Sequence, residues 1–339
     1  NQAMAGAHII YSKWPREVVG FKDYRLKEEE LVDLISNVNL SGQTGLQSAP
    51  LGAGHIYVGN IEMALNKVGV DREKLLDAHV KSISRKTADG YYYFIANHEN
   101  RTLDKELEFK FGAENVLFMN PLNGEVKKGN CKYDGQGATF RVFLKPGSSM
   151  IVRFTNKKVD TVPDFIYPKT IKTQELNNIW DFKALKGGPE LPPEMAINEL
   201  KFWTDLPDTS YTHFAGIGEY STVFSLSSRS NNQYILKFSE VETTAKVFIN
   251  EKEAGTLWSY PYELDVSEYI QQGKNDLRVE VCNLGSNRIR YMDQQGVNWK
   301  KFHNINIVDL NYKKLDASNW DVLSSGLNGK VELLEIENH

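Results

Sequence analysis

The sequence predicts a mainly β protein: an antiparallel β-sandwich and a second, jelly-roll-like sandwich, preceded by a partial α/β segment. Three observations carry this reading. From residue 80 onward, apolar and polar residues alternate with period two in short runs punctuated by Gly, Pro and Asn. Before that point two stripes of helical period alternate with two short apolar runs. The 339 residues also exceed what a single core usually serves, so several domains are expected.

Residues 8–11 form a short apolar strand. A helix follows over 25–39, with Leu31, Leu34, Ile35 and Val38 on one face and Glu28, Glu29 and Glu30 near its positive end. Residues 41–54, rich in Gly, Ser and Pro, read as a loop. Strand 55–58 leads to a second helix capped by Asn60, with Ile61, Ala64, Leu65 and Val68 on its stripe and Gly69 as the C′ residue. Two strands and two helices cannot cover both faces of a parallel sheet. Residues 1–76 are therefore expected to be the tail of a larger α/β domain. The start at Asn1-Gln2-Ala3-Met4, without a signal peptide, fits a chain processed or cut from a longer one.

Six strands are predicted over 77–156, at 80–86, 91–97, 106–111, 116–119, 139–144 and 149–154. Asp89-Gly90, Pro121-Leu122-Asn123-Gly124 and Pro146-Gly147 supply turns between them. Residues 157–199 carry Pro163, Pro168, Pro189, Pro192 and Pro193 and read as a linker with one strand at 179–185. The block 200–339 is the most regular. Tyr220, Thr222, Phe224 and Leu226 alternate with smaller or polar residues, as do Tyr234, Leu236 and Phe238, then Leu277, Val279 and Val281. Further strands are expected at 302–311 and 331–336. Short strands at this spacing are those of a jelly roll.

Composition excludes several classes. Lys plus Arg is 40 and Asp plus Glu is 44, so the concentrated positive field of a nucleic-acid binder is missing. No apolar run reaches the ~18 residues of a membrane helix. Cys131 and Cys282 read as two unpaired thiols rather than a disulfide scaffold. There is no Walker loop, GxSxG elbow or HExxH motif, and Gly52-Ala53-Gly54 and Gly216-Ile217-Gly218 lack the third glycine of a dinucleotide site. The seven histidines show no metal-ligand spacing, and His98 beside Glu99 reads as a solvated strand end. Asp205 and Glu219 flank an aromatic segment but read as loop and edge charges, not as a catalytic pair.

The aromatic run Trp258-Ser259-Tyr260-Pro261-Tyr262 is more informative. Rings cover the flat C–H faces of sugars, and amides and guanidinium groups bind their hydroxyls. Trp258 and Tyr260 with Asn283, Asn287 and Arg288 are the candidate carbohydrate-binding residues. The alternative is that Tyr260 and Tyr262 plug the sandwich while Pro261 fixes a turn. Period two places Tyr262 on the inward face with Leu264 and Val266 and leaves Trp258 the best placed to reach a glycan. Trp14, Trp180, Trp203, Trp299 and Trp320 are expected in cores or between domains.

The third block resembles a known family on specific residues. Gly218-Glu219-Tyr220-Ser221-Thr222-Val223-Phe224, Ala245-Lys246-Val247-Phe248-Ile249-Asn250, Ala254-Gly255-Thr256-Leu257-Trp258, Pro261-Tyr262-Glu263-Leu264-Asp265-Val266 and the run from Gly273 to Asn283 are similar to the galactose-binding-like sandwich of family 2 glycoside hydrolases. Ser325-Gly326-Leu327-Asn328-Gly329-Lys330-Val331 resembles its closing strand. The family usually has Asn-Gly where this chain has Asn250-Glu251. Tyr93-Phe94-Ile95-Ala96-Asn97 and Met119-Asn120-Pro121-Leu122-Asn123-Gly124 resemble the sandwich that follows the barrel in family 106 α-L-rhamnosidases.

That resemblance implies a C-terminal accessory region of a glycoside hydrolase, with its catalytic carboxylates in a missing N-terminal barrel, so no catalytic residue is carried over. It implies a carbohydrate partner, such as a plant-type polysaccharide or oligosaccharide, and export to the periplasm or outside of a bacterium. It requires no cofactor and is compatible with a structural Ca²⁺ whose ligands, largely backbone carbonyls, leave no trace in sequence. The rival expectations are a stand-alone carbohydrate-binding or adhesion protein and a complete hydrolase with its site between the sandwiches.

Overall fold

A computed structural model describes residues 2–70, 72–301, 311, 313 and 315–337. It divides into two compact units, 1–78 with 108–110, and 79–107 with 111–339. The strand expected at 302–311 lies outside the described residues except for Asn311, which sits in a turn.

The first unit is a four-stranded mixed sheet with two helices. Its elements are β1 (His8–Tyr11), α1 (Tyr24–Ser36), β2 (Ser41–Gln43), β3 (Leu46–Leu51), β4 (Gly54–Gly59) and α2 (Ile61–Lys67). The sheet order is β1-β4-β3-β2, with only β1 and β4 parallel. The loop expected at 41–54 is thus a hairpin. Gly42 belongs to the ladder: a Cβ there would lie 2.4 Å from the Leu46 carbonyl oxygen, so only glycine lets the two strands meet, while Gly45 and Gly52 stand in the turns. Asn60 caps α2 by accepting from the Met63 N–H at 3.0 Å, and Gly69 follows with φ 77°. The helix stripes are only partly covered. Leu46, Tyr57 and Ala64 form the core, whereas no residue of α1 is buried and Leu34 is 69% exposed.

The second unit begins with a small sandwich of eight strands, two more than the sequence pattern suggests. These are β5 (Lys81–Thr87), β6 (Gly90–Ala96), β7 (Leu103–Phe109), β8 (Asn115–Met119), β9 (Val126–Gly129), β10 (Lys132–Tyr133), β11 (Ala138–Leu144) and β12 (Ser149–Thr155). A five-stranded sheet, β5-β6-β12-β8-β9, faces a three-stranded one, β10-β11-β7. Phe118 and Phe154 from the first meet Phe140 of the second at ring-centroid distances of 4.9 and 6.2 Å.

The β5–β6 turn centres on Ala88-Asp89, with Gly90 paired to Thr87. The Asp89 carboxylate lies 2.8 Å from the Lys157 ammonium and 2.9 Å from the Arg153 guanidinium, and accepts from the Thr87 hydroxyl. Its pKa is drawn down to about 2, first by the hydrogen bond from Lys157 and then by that from Thr87. The folded value lies below the unfolded one near 3.9, so this carboxylate stabilises the fold above about pH 4 and loses that effect as pH falls toward 2. Asp89→Asn is expected to lower the melting temperature at pH 6, with the gap to the parent closing by pH 2. A gap that stays constant across this window would exclude that role.

The remaining strands build the larger sandwich. They are β13 (Thr170–Glu175), β14 (Trp180–Gly188), β15 (Met195–Ile197), β16 (Ala215–Leu226), β17 (Gln233–Glu242), β18 (Thr244–Ile249), β19 (Lys252–Leu257), β20 (Glu263–Asp265), β21 (Gly273–Cys282) and β22 (Gly326–Ile336), with α3 (Thr209–His213) and α4 (Ser286–Gln294). A sheet ordered β13-β22-β17-β20 packs on one ordered β15-β14-β16-β21-β18-β19, and the assigned pairings are antiparallel. The stretch read as a linker, 157–199, therefore supplies three strands of this sandwich. Its prolines mislead because they stand at strand ends: Pro168 precedes β13, Pro189 follows β14, and Pro192 and Pro193 precede β15. The core is aromatic, with Trp180, Phe182, Trp203, Tyr211, Phe214 and Tyr220 each at most 2% exposed. Trp180 and Trp203 are thus core residues as expected, but Trp320 is 39% exposed.

The β18–β19 hairpin turns on Asn250 and Glu251, with φ of 51° and 67°. Two left-handed residues define a type I′ turn, which suits Asn first and Gly second. Glu251 bears the strain of that departure. Glu251→Gly is expected to stabilise the unit by about 1 kcal/mol, seen as a higher urea midpoint; an unchanged or lower midpoint would count against strain at this turn.

Candidate functional site

The aromatic run leaves β19 and crosses to β20. Its three rings have different fates. Trp258 is 61% exposed. Tyr260 is 43% exposed, yet one side of it is covered: a Cβ on Gly147 would lie 2.7 Å from its Cδ1, so glycine is what lets the Pro146-Gly147 turn seat on the ring. Beside this contact, Lys145 Nζ pairs with Glu263 at 2.5 Å. Tyr262 is half-buried against the sandwich core and meets Tyr260 edge-on at 5.7 Å. The inward face expected for 262, 264 and 266 is complete only at Val266, which is fully buried. Tyr260 therefore joins the small sandwich to the large one, and Trp258 keeps most of its ring in solvent.

The two asparagines proposed beside these rings hold the fold together. Asn283 accepts from the Gly216 N–H at 2.9 Å and donates to the Phe214 carbonyl at 3.0 Å and the Ser325 hydroxyl at 2.9 Å. Asn287 is 2% exposed; its Oδ1 accepts from Leu323 N–H at 2.9 Å and its Nδ2 donates to Leu323 C=O at 2.8 Å. Both amides are thus engaged with backbone and unavailable to a sugar. Arg288 is exposed, and its guanidinium lies over Gly188 at the end of β14.

Sheet register relates these positions. Ala245 of β18 pairs with Leu257 on one side and Val281 on the other. Trp258 and Asn283 thus lie at the same end of the six-stranded sheet, two strands apart. That end presents an indole to solvent and, beyond β21, the Arg288 guanidinium. At the same end His213 stacks on Tyr291 at 3.9 Å, with Glu190 3.7 Å from its Nε2.

The remaining candidates are resolved by their partners. Glu219 points to the outer face of the sheet, where Arg278 lies 3.4 Å away, over the Phe248 ring and beside Glu280; Asp205 sits in an exposed turn. His98 and Glu99 are exposed, and no group of three or more metal-ligating side chains occurs among the described residues. Cys131 and Cys282 are both free thiols, and burial raises the pKa of Cys131.

One concavity is lined by residues that carry no sequence motif. A groove of about 550 Å³ runs between the segment 164–168 with β9 and the loop 229–233 with residues 265–268. Its only sequence signal is the polar run Ser228-Arg229-Ser230-Asn231-Asn232-Gln233, which reads equally as a turn.

Residues 216–320 match the family described as glycosyl hydrolase 2 galactose-binding domain-like. Within these residues the chain therefore carries a galactose-binding-like domain of the kind found in family 2 glycosyl hydrolases. Its fold over 98% of its length is that of part of a rhamnosidase from Novosphingobium sp. PP1Y, with a TM-score of 0.63 at 19% identity. A protein of Formosa agariphila, provisionally named a beta-glucuronidase, is 30% identical over 193 residues, 52% of this chain. A Bifidobacterium dentium beta-glucuronidase aligns over 50% of this chain and 31% of its own, at 22% identity and a TM-score of 0.36. This chain spans 16% of the length of the Formosa protein and 31% of the rhamnosidase. The resemblance read from the sequence thus holds at the level of fold. Among the described residues, no helix is long and apolar enough to cross a membrane.

Proposed function

We propose that this chain is the accessory region of an exported glycoside hydrolase of α-L-rhamnosidase type. In this reading its sandwiches buttress a catalytic domain outside these 339 residues and contact carbohydrate beside it. The observation that carries it is the match of fold along 98% of the chain to 31% of a rhamnosidase. The side chains support it too. Of the two carboxylates weighed, Glu219 is tied to Arg278 and Asp205 stands exposed in the short 203–205 turn, which fits structural rather than acid–base roles. Exposed Trp258 is the group best suited to a sugar face. A structural Ca²⁺ remains part of the proposal, with no ligand assigned.

Hydrolysis of an aryl α-L-rhamnoside tests the catalytic half of this reading. The purified chain is expected to show no turnover above buffer, while the full-length protein that carries it does hydrolyse the substrate. Turnover by the chain alone, abolished by one carboxylate substitution within it, would overturn the assignment.

A further inference from the structure

We propose that the groove between the two sandwiches of the second unit is a binding site for a neutral oligosaccharide. The proposal rests on the reading of the chain as a carbohydrate-active region and assigns the sugar a place that no candidate from the sequence occupies.

The two walls are built differently, and both are braced. One wall is apolar. The strap 163–165 is fixed to β9 by two backbone hydrogen bonds of 2.7 Å, Lys128 N–H to Pro163 and Phe165 N–H to Lys128. Phe165 is held edge-on between Phe118 and Tyr167, each at 5.1 Å. The strap thereby presents Phe165, Ile166 and Pro168 to the groove, with Ile166 47% exposed. These surfaces suit the C–H faces of a sugar ring, and their rigidity removes part of the ordering cost of binding.

The opposite wall is polar and equally fixed. Glu335 accepts from the Ser230 hydroxyl and the Asn232 amide, both at 2.7 Å. Arg229 donates to the Ser267 carbonyl at 2.9 Å, and Gln233 donates to Asp265 at 2.8 Å. Amide, hydroxyl and carboxylate groups are thus arrayed along a loop that does not need to fold around its ligand.

Charge decides the ligand class. Most carboxylates at the groove already have cations: Glu125 with Lys127 at 3.1 Å, Asp164 with Lys128 at 3.1 Å, and Glu337 with Lys169 at 2.7 Å. The same pairings occupy the lysines that an anionic sugar would need, and Asp265 and Glu268 add negative charge to the rim. Five carboxylates line the groove against the cations Lys127 and Arg229, and Arg229 is already held on the Ser267 carbonyl, so a uronate or sulfate would meet net repulsion here. A neutral polyol would not, and a volume of about 550 Å³ lies in the range of small-ligand sites.

Isothermal titration of the chain with neutral galacto- and arabino-oligosaccharides, against oligogalacturonate, tests this. Neutral oligosaccharides are expected to bind at least tenfold tighter than oligogalacturonate. The exposed pair Ile166→Ala with Glu268→Ala, one on each wall, is expected to raise the dissociation constant at least tenfold, with Ile83→Ala, an exposed position outside the groove, leaving it within twofold. A melting curve matching the parent's shows that the pair is folded; if it is not, Glu268→Ala alone carries the test with a threefold threshold. Neutral binding that survives the groove variants but is lost in Trp258→Ala would overturn the groove while leaving the carbohydrate reading intact. Equal or tighter binding of oligogalacturonate would overturn the neutral assignment. Binding of neither class would overturn both the groove and the carbohydrate part of the proposed function.

Discussion

Replacing Asn275 with alanine is expected to destabilise the second unit by about 3 kcal/mol, from several hydrogen bonds lost at about 1 kcal/mol each. Asn275 is fully buried on β21. Its Oδ1 accepts from Asn250 Nδ2 at 2.9 Å and from the Gln271 N–H at 2.8 Å, while its Nδ2 donates to the carbonyls of Gln271 at 2.8 Å and Gly273 at 3.1 Å. One amide thus ties the β18–β19 turn to the turn that enters β21. Asn250 completes the tie from its side, accepting from the Asp276 N–H at 3.0 Å and donating to Tyr269 at 3.0 Å. The melting temperature should fall by roughly 2–4 °C per kcal/mol for a unit of this size. Asn275→Asp keeps the shape but loses both donors, and should do no better than alanine. A drop below 2 °C for both variants would remove Asn275 from the framework.

The parts legible in the sequence are those whose cause is local. The Tyr220–Leu226 alternation, the Asn60 cap and the Gly69 terminus depend on neighbours within one turn or one strand, and the structure has them where the pattern puts them. The misread parts depend on distant partners. Gly42 looked like loop material because its tolerance of a close carbonyl is visible only with β3 alongside. The prolines of 157–199 signalled a linker because strand-end and linker prolines look alike without a neighbouring strand. Tyr260 looked like a sugar platform because the Gly147 that covers it lies in another sandwich. The groove left no such trace, since its walls join 164–168 to 229–233 and 265–268, segments that are distant in sequence. Trp258 was legible for the opposite reason: the chain leaves β19 there, so little packs on it.

Asn283 and Asn287 separate fold from function in this domain. Both were natural candidates for hydroxyl binding, and both are instead bound to main chain around Ser325, which is 2% exposed. Asn283 joins the end of β21 to Phe214 and Gly216 at the start of β16. Asn287 pairs with Leu323 through both its amide atoms, as a neighbouring strand would, and so anchors α4 to the approach to β22. Truncating Asn287 to alanine removes both hydrogen bonds that this buried amide makes to the Leu323 main chain, at an expected cost of about 2 kcal/mol. Asn283→Ala should cost a similar amount, and the double variant less than the sum, because both amides lean on the same Ser325 hydroxyl. Glycan affinity of whatever fraction stays folded should remain within twofold of the parent, measured by titration below the variant's melting temperature. The opposite result, intact melting with lost affinity, would return these amides to the binding surface.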